Sequence, residues 1–264
     1  MSAEPWLALC REAVDDVRGV LAALPGRAQR EPVVGTGMGG DETTAIDEAA
    51  ERVILARFAG PDRRIVSEEV GVSGEGRWTI VVDPIDGSLN AKRGIPFFSL
   101  SIAVADGDTM GDVVFAYVYD FGTGEEWTAT DGGGALLNGE PLTERPKDEI
   151  EILSFEATTT EYVAGHAARM VGLAYRLRVM GSLAITLCHF AAGRVDGVVS
   201  LKAARSVDIA AAQLLVRERG FAIALPDSLP PFGAAPLDLD PRSRVVAAGT
   251  EANCRLLADA LLAR

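Results

Sequence analysis

The sequence predicts an α/β (α+β) fold in two halves, residues 1–149 and 150–264. Two helical segments and a series of β-forming runs joined by turns make up the first half. Near residues 146–149 the pattern changes, and from there strands and helices alternate regularly to the end of the chain. Because regular alternation is typical of an α/β unit, we expect the second half to be one.

Both helices of the first half are predicted from apolar residues at helical spacing. In the first helix these residues run from Trp6 to Leu24, and Pro25 and Gly26 end it. A glycine-rich loop at residues 35–40 leads towards the second helix, which reaches Phe58. The loop follows no evident strand, so the pattern does not predict a dinucleotide-binding fold.

The remaining elements are predicted from β-branched and aromatic runs and from helix-start signals. Strands of the first half cover residues 64–67, 78–82, 97–105, 113–119 and 126–129, with a tight turn at Asn138 and Gly139. Strands of the second half cover residues 150–155, 175–180, 196–201, 221–225 and 244–248. Helices cover residues 161–171, 182–192, 207–219 and 250–262, with Ser182 and Thr250 as N-caps.

The charge balance limits the partners that this protein can have. The 264 residues carry a formal net charge of −13, and the sequence pI is about 4.7. Such a chain repels polyanions, so we expect no nucleic-acid partner. An anionic small molecule would have to be held by local basic groups or by metal ions. No run of about 20 apolar residues is present, so we expect no membrane association.

Cysteine usage and the N-terminal residues predict the compartment. Cys10, Cys188 and Cys254 are odd in number and far apart, so they form neither a disulfide framework nor a metal cluster. Residues 1–6 contain neither the basic region nor the apolar region of a secretory signal. We therefore expect a cytoplasmic protein with reduced thiols.

The most informative stretch is residues 81–90, where a buried strand ends in two carboxylates, Asp83 and Asp86. Pro84 and Gly87 indicate a sharp turn, and Ser88 is a plausible N-cap of a short helix. Carboxylate oxygens at this spacing suit a hard cation such as Mg²⁺, and a helix N-terminus suits a phosphate oxygen. The stretch therefore predicts a phosphoryl-transfer site.

Other candidate residues have ordinary structural interpretations when each is taken alone. Asp47 lies in the first turn of its helix, where the helix dipole favours a carboxylate. Glu68 and Glu69 are a pair of acids in a loop, and such pairs are usually solvated. Asp208 is typical of helix capping. His189 lies in an apolar helix without metal-ligand spacing, and we expect it to be packed or hydrogen-bonded.

Four segments together resemble one family. They are G-D-x-x-T-x-x-D at residues 40–47, Glu-Glu at 68–69, D-P-I-D-G-S at 83–88 and S-V-D-I-A-A at 206–211. They resemble the Mg²⁺-dependent, lithium-sensitive superfamily of inositol monophosphatases and fructose-1,6-bisphosphatases, and residues 83–98 look most like the archaeal-type enzymes with both activities. The resemblance spans residues 35–220 and implies a layered αβαβα sandwich and a homodimer.

The resemblance also implies a metal site. Glu68, Asp83 and the carbonyl of Ile85 would hold a first Mg²⁺ ion, and Asp83, Asp86 and Asp208 would hold a second. Two or three ions are expected in total. Oxygen ligands at strand ends and at a helix start agree with this choice, because Mg²⁺ prefers carboxylates and keeps waters for contact with a substrate phosphate.

The catalytic residues implied by the resemblance are Asp47, Glu68 and Ser88. Ser88, polarised by Asp47, would orient the attacking water, and the amides of Gly87 and Ser88 would bind the phosphate. No phosphoenzyme is implied, because the water attacks phosphorus in line with the departing alkoxide.

Substrate contacts are expected from a second group of residues. By resemblance, Gly181 and Ser182 would face the substrate hydroxyls or the phosphate. The basic residues Lys202 and Arg205, with Arg176 and Arg178 on the preceding strand, could bind the second phosphate of a bisphosphate sugar, or could be scattered surface residues.

Three positions depart from the family pattern. Ser88 replaces the threonine of many relatives, but it keeps the hydroxyl. Val207 replaces a tryptophan. Leu201 stands near the position where animal inositol monophosphatases have an acid that binds an inositol hydroxyl, which argues against a strict inositol specificity.

The predicted function is a Mg²⁺-dependent phosphatase that hydrolyses phosphate monoesters of small sugars or polyols. Fructose-1,6-bisphosphate is the favoured substrate, with inositol monophosphate also accepted. The alternatives are a 3′-phosphonucleotide or histidinol-phosphate phosphatase on the same fold, and a non-catalytic regulatory relative.

Overall fold

The structure is a computed structural model that describes residues 3–38, 42–156, 159–228 and 231–263. Its helices, in chain order, are α1 (Glu4–Ala23), α2 (Arg27–Arg30), α3 (Ala45–Phe58), α4 (Ser88–Arg93), α5 (Thr160–Ala167), α6 (Leu183–Ala191), α7 (Ser206–Glu218) and α8 (Glu251–Leu262). Short 3-10 turns cover Met110–Asp112, Ala168–Met170 and Phe232–Ala234. Within the described ranges, none of the helices is long and apolar enough to cross a bilayer.

The strands before residue 150 form a hairpin and a large sheet. They are β1 (Val33–Thr36), β2 (Glu42–Thr44), β3 (Arg63–Ser67), β4 (Gly71–Ser73), β5 (Trp78–Asp86), β6 (Ser99–Asp106), β7 (Val113–Asp120), β8 (Glu126–Thr130), β9 (Gly134–Leu137) and β10 (Glu140–Pro141). β1 and β2 pair with each other. The other eight form one sheet in the order β10-β9-β8-β7-β6-β5-β3-β4, in which β3 and β5 are parallel and the other pairs are antiparallel.

The later strands form a second, five-stranded sheet. They are β11 (Ile150–Glu156), β12 (Ala174–Val179), β13 (Gly197–Ser200), β14 (Ala222–Ala224) and β15 (Val246–Ala248), in the order β12-β11-β13-β15-β14. β11 is parallel to both of its neighbours, as expected when helices connect successive strands. β15 is antiparallel to β13 and β14.

The elements stack in five layers, which confirms the predicted αβαβα sandwich. Helices α1 and α3 pack on each other and on the outer face of the eight-stranded sheet. Helices α6 and α7 pack together and contact both sheets, so they form the middle layer. Helix α8 covers the other face of the five-stranded sheet, against β13, β14 and β15.

One buried apolar cluster joins the two predicted halves. It combines Val66 and Val118 of the first sheet with Leu187, Leu214 and Ala247 from beyond residue 150. The sheets themselves divide near residue 150, as predicted from the change in sequence pattern. A second buried apolar cluster lies entirely within residues 6–119, and a third lies entirely within residues 150–261. Because the shared cluster joins these two interiors, the division into residues 1–149 and 150–264 stays a prediction.

Three local predictions were wrong. The strand predicted at residues 78–82 continues to Asp86, because a bulge between Asp83 and Asp86 lets it stay paired with β6. The N-cap of α4 is Gly87, not Ser88, which is the first helical residue. A strand, β1, does precede the glycine-rich loop, but it forms a hairpin with β2 and leads into no βα crossover. Residues 39–41 of that loop lie outside the described residues.

Candidate active site

The end of β5 supplies the first site residues. The Oδ1 atom of Asp83 accepts a hydrogen bond of 3.0 Å from the amide of Ile85, which turns the chain within the bulge. Gly87 follows with φ of 91°, and a Cβ there would lie 3.0 Å from the carbonyl oxygens of Phe97 and Gly181. Only glycine fits this close approach, so the turn brings β5 against the start of α6.

Asp86 is held by the N-terminus of α6. Its Oδ2 atom accepts hydrogen bonds from the Ser182 hydroxyl at 2.5 Å and from the Ala184 amide at 2.7 Å. Ser182 is only 1% exposed, and its oxygen also accepts the Ile185 amide as the helix N-cap. The predicted cap is therefore confirmed. The Ser182 hydroxyl donates its proton to Asp86. A direct contact of Ser182 with substrate stays a prediction.

Glu68 and Asp208 meet through Arg205. The Arg205 guanidinium donates to Glu68 and lies 3.4 Å from Oδ1 of Asp208, while the Arg205 amide donates to Oδ2 of Asp208 at 2.7 Å. The side chains are 14% (Arg205), 18% (Glu68) and 19% (Asp208) exposed. Asp208 thus has the capping contact expected of it alone, and it also faces the predicted metal ligand Glu68. Arg205, predicted to bind substrate, lies among the predicted metal ligands.

The pKa values of Asp83, Glu68 and Asp86 are all raised, and the charge of Asp208 contributes to each shift. Burial, and after it the charges of Glu68, Asp86 and Asp208, raises the pKa of Asp83 well above its usual value. Burial raises the pKa of Glu68 to about 7, with Asp208 adding to the shift and Arg205 opposing it. Burial also raises the pKa of Asp86 to about 6, with Asp208 again adding to it. A bound cation would offset the repulsion between these carboxylates and would lower their pKa values.

The donor set therefore fits a hard divalent cation, but these side chains are not in a closed ligand cage. In the described part of the chain, no three of the four carboxylates bring oxygens within 4.8 Å of one another. Arg205 lies between Glu68 and Asp208 and balances their charge. A cation would have to compete with this guanidinium for the same oxygens.

Asp47 and Ser88 lie in different hydrogen-bond arrangements from the one that was predicted. Oδ2 of Asp47 accepts the Thr44 amide at 3.1 Å and the Thr44 hydroxyl at 2.5 Å, which forms a capping box. The Ser88 hydroxyl donates to the Ile85 carbonyl at 2.9 Å. No hydrogen bond joins Ser88 to Asp47, although both belong to the described residues. Oδ1 of Asp47 is buried and has no partner within those residues, so it is free to accept a proton donor.

A cavity of about 470 Å³ opens beside these residues. Five predicted site residues line it together with Glu156, namely Asp86, Gly181, Lys202, Arg205 and Asp208. Apolar side chains, including Leu89 and Leu183, form another part of the wall. The cavity therefore combines acidic, basic and apolar surface, as a site for a small charged ligand would.

Two substrate-binding expectations meet difficulties in the structure. Arg178 is exposed on β12, donates to the carbonyl of Leu177 at 2.9 Å, and is not part of the cavity wall. Arg176 on the same strand stacks on Tyr175. Both predictions were made from sequence proximity to Lys202 and Arg205. However, β12 is an edge strand of the five-stranded sheet and contributes no residue to the cavity wall. Lys202 and Arg205 remain the basic residues of the cavity.

Sequence reasoning missed Glu156. It ends β11, is 1% exposed, and lies on the cavity wall. Burial raises its pKa to about 7. The available signal was an acid directly after the apolar run of a predicted strand, the same signal that singled out Asp83. Leu201, which replaces the acid of animal relatives, is buried and does not line the cavity.

A second group of potential ligands was also missed. Ligand atoms of Asp120, Glu125 and His189 lie within 4.8 Å of one another. Most of them already have partners, because Asp120 accepts the amide and hydroxyl of Thr123, and Glu125 forms two hydrogen bonds of 2.7 Å with Arg194. His189 packs edge-on against Phe97, and burial lowers its pKa, so the packed histidine that we expected is confirmed.

The five-layer fold and the buried acids beside a mixed-charge cavity define a class, a hydrolase fold that can hold metal ions next to an anionic ligand. The chain matches the inositol monophosphatase family over residues 8–262. It therefore belongs to the inositol monophosphatase family, which is metal-dependent, and the family resemblance seen in the motifs is confirmed.

Individual relatives agree with this assignment. The chain is similar to the fructose-1,6-bisphosphatase/inositol-1-monophosphatase of Thermococcus kodakarensis, with 35% identity over 81% of this chain and 82% of the relative. It is similar to the Nus factor SuhB of Pasteurella multocida, with 37% identity over 68% of this chain and 70% of the relative. A solved inositol monophosphatase–fructose 1,6 bisphosphatase superposes with a TM-score of 0.85, at 26% identity over 97% of this chain and 99% of that one.

Proposed function

We propose that this protein is a Mg²⁺-dependent phosphoric monoester hydrolase that acts on small sugar or polyol phosphates. Fructose-1,6-bisphosphate is the favoured substrate, and inositol monophosphate is the second. The observation that carries the proposal is a group of four carboxylates, one buried and three part-buried, beside a cavity with two basic side chains. The Thermococcus relative, named for both activities, supports the choice of substrates.

The same residues would hold the metal ions as predicted from sequence. Glu68, Asp83 and the Ile85 carbonyl are proposed for one Mg²⁺, and Asp83, Asp86 and Asp208 for another. When bound, Mg²⁺ supplies positive charge for the phosphate and lowers the pKa of water. The number of ions, two or three, is part of the proposal.

The protein groups have three tasks in this mechanism. Gly87 and Ser88 present their amides to the phosphate at the turn after β5. Asp47 accepts a proton through its unpartnered Oδ1 atom, while its other oxygen keeps the capping contact with Thr44. Lys202 and Arg205 hold a second phosphate or other anionic group in the cavity. The apolar part of the wall keeps bulk water from the reacting phosphate.

A substrate panel at fixed enzyme and varied Mg²⁺ tests the proposal. We expect fructose-1,6-bisphosphate and inositol monophosphate to be hydrolysed with the highest kcat/KM, and activity to disappear with chelator. The panel includes a 3′-phosphonucleotide and histidinol phosphate, because both remain alternative substrates. If fructose-1,6-bisphosphate reacts no faster than a generic phosphate ester, the preferred substrate is wrong.

A regulatory role is the second candidate function, and the similarity to the Nus factor SuhB favours testing it. Catalysis and regulation are separated by Asp86→Asn, which keeps the shape of a buried, hydrogen-bonded side chain and removes its charge. A catalytic role predicts loss of hydrolysis with the fold retained. Unchanged turnover in Asp86→Asn would contradict the metal assignment.

Assembly and compartment are proposed on separate grounds. A homodimer is proposed because Val171, Tyr175 and Val179, on and near the outer strand β12, are 82%, 76% and 51% exposed. A small-molecule partner, without nucleic acid or membrane, is proposed from the net charge of −13. A reducing cytoplasm is proposed because Cys10, Cys188 and Cys254 are buried free thiols. Analytical ultracentrifugation tests the dimer directly.

A further inference from the structure

Glu156 is a buried carboxylate of the cavity, and two of its three hydrogen bonds lead to the start of α6, the region that holds Asp86. Its Oε2 atom accepts the Gly181 amide at 2.9 Å. Its Oε1 atom accepts the Thr186 hydroxyl at 2.7 Å and the Ser154 hydroxyl at 3.1 Å. Glu156 thereby connects the end of β11 to the start of α6 at two points.

The peptide group between Met180 and Gly181 is held at both of its polar atoms. The carbonyl of Met180 accepts a hydrogen bond of 2.8 Å from the Asn90 side chain, and the amide of Gly181 donates to Glu156. The next residue, Ser182, donates to Asp86 at 2.5 Å. A shift of this peptide would therefore move the Ser182 hydroxyl, and with it Asp86.

Two glycines bring the backbone of this segment close to its neighbours. Gly181 has φ of 94°, and a Cβ there would lie 2.9 Å from Nδ2 of Asn90. Gly87 on the opposite side packs against the Gly181 carbonyl. Because both glycines are in close backbone contact, the turn is tight, and Glu156 is the acceptor that completes it.

We propose that Glu156 is a positioning residue that fixes the Met180–Ala184 segment and through it orients Asp86 for metal binding. The inference rests on the proposed function, in which Asp86 is a metal ligand. Groups that orient metal ligands from outside typically change metal affinity by about 10- to 100-fold when they are removed. Glu156 acts one step further out, so the lower end of that range is expected.

The required property is the hydrogen-bond pattern, not the negative charge. A glutamine can accept the Gly181 amide with its oxygen and donate its NH₂ group to the hydroxyls of Thr186 and Ser154, because hydroxyls also accept. Glu156→Gln therefore keeps every connection, whereas Glu156→Ala leaves the Gly181 amide and the buried Thr186 hydroxyl without their acceptor. The pair separates positioning from a direct role of the charge.

The experiment is a calorimetric titration of the purified full chain with Mg²⁺, together with the Mg²⁺ dependence of kcat. We expect Glu156→Ala to weaken Mg²⁺ binding by about 10-fold. Glu156→Gln is expected to stay within about 2-fold of the wild type, because it rebuilds the same hydrogen bonds. If Glu156→Ala does not fold, Glu156→Met, which fills the side-chain volume, takes its place.

Asp196→Ala is the matched control. Asp196, directly before β13, is also buried, and it accepts the amides of Lys147, Glu151 and Ile152 at 2.7, 3.1 and 2.9 Å near the opposite end of β11 from Glu156. Its removal leaves these amides without their acceptor but does not touch the Met180–Ala184 segment. We expect a lower Tm and an unchanged Mg²⁺ affinity.

A double-mutant cycle with Ser182→Ala tests the route. If Glu156 acts through Ser182, Glu156→Ala lowers Mg²⁺ affinity less in the Ser182→Ala background than in the wild type. Additive effects would overturn this route.

Three further results would overturn the inference. They are a folded Glu156→Ala that binds Mg²⁺ as the wild type does, a Glu156→Gln that loses as much affinity as Glu156→Ala, and an Asp196→Ala that loses as much as either. A wild-type protein that neither binds Mg²⁺ nor hydrolyses any phosphate ester would instead contradict the proposed function.

Discussion

Single residues in this site make a structural contact and, in the proposed function, also have a chemical role. Asp47 closes a capping box with one oxygen and leaves the other buried without a partner. Asp208 accepts the amide of its helix start and also faces Glu68 through Arg205. The expected location of both acids at helix starts is therefore confirmed. Their proposed chemical roles depend on neighbours that are distant in sequence.

Asp47→Asn is predicted to lower kcat by about 10²- to 10⁴-fold, the usual contribution of a positioned general base. Its effect on stability should be about 1 kcal/mol, as for loss of a helix cap. Steady-state kinetics and thermal unfolding measure the two effects. Asp112→Asn is the control, because Asp112 forms the same capping box with Thr109. It should show the stability change alone, and an equal loss of kcat in both variants would contradict the catalytic role.

Asp83→Asn is predicted to raise the Tm of the metal-free protein and to abolish its stabilisation by Mg²⁺. The physical reason is that Asp83 is buried beside three other carboxylates, which raises its pKa and makes its charge unfavourable without a cation. Thermal unfolding in chelator and in Mg²⁺ measures both effects. Asp227→Asn is the control of opposite sign, because hydrogen bonding to Arg244 lowers the pKa of Asp227. It should lose stability and keep the Mg²⁺ response.

At the scale of elements, the ends of three strands and the starts of two helices build the site. β3, β5 and β11 end close to Glu68, Asp86 and Glu156, and α6 and α7 begin next to Asp86 and Asp208. These ends gather several carboxylates in a buried space, which is costly without cations. The arrangement makes the stability of the metal-free protein depend on pH.

The free energy of unfolding of the metal-free protein is predicted to fall as pH rises from 5 to 8. The pKa values of Glu68 and Glu156 are raised from 4.5 to about 7, and that of Asp86 from 3.8 to about 6. At pH values between the unfolded and folded pKa values, the native state binds more protons than the unfolded state. The free energy of unfolding therefore decreases as pH rises through this interval. Asp83 acts in the same direction. Burial lowers the pKa of His189, which has the opposite effect on the free energy of unfolding, but this is one group against four.

Thermal unfolding in chelator across this pH range measures the effect, and we expect a decrease of several degrees in Tm. Mg²⁺ should raise Tm more at pH 8 than at pH 5, since it binds the ionised carboxylates. A metal-free Tm that increases steadily over the same range would show that these acids do not share a buried site.

At the scale of the whole molecule, the middle helical layer joins the two sheets. Helix α7 packs on the eight-stranded sheet and on β14, and Leu214 lies fully buried in the apolar cluster common to both halves. The cavity lies at the same junction, since Asp86 comes from the first sheet and Glu156 from the second. Separation of the halves would therefore open the site as well as the core.

Leu214→Ala is predicted to cost about 2–5 kcal/mol, as for other large buried side chains, and to leave a single unfolding transition. A single transition is expected because the shared core couples the halves. Calorimetry and denaturant unfolding by two probes measure it. Leu262→Ala, at the 42% exposed end of α8, is the control with a small effect. Two separated transitions in the wild type would instead favour two independent domains.

Most helices and strands, the family and the acids at strand ends could be predicted from local sequence patterns. These depend on local periodicity, on turn residues and on short motifs such as residues 83–88, all of which act over a few residues. The same information located the Ser182 cap and the packing of His189 correctly. It misjudged Ser88 and the length of β5, because a bulge with a glycine N-cap depends on pairing with β6.

The contacts between groups that are distant in sequence could not be predicted and are known from the folded structure. Arg205 lies between Glu68 and Asp208, and the Ser182 hydroxyl donates to Asp86. Glu156 lines the cavity, whereas Arg178 does not. The physical reason is that these contacts join residues tens to more than one hundred positions apart. Their formation depends on how sheets and helices stack, which no local pattern of side chains specifies.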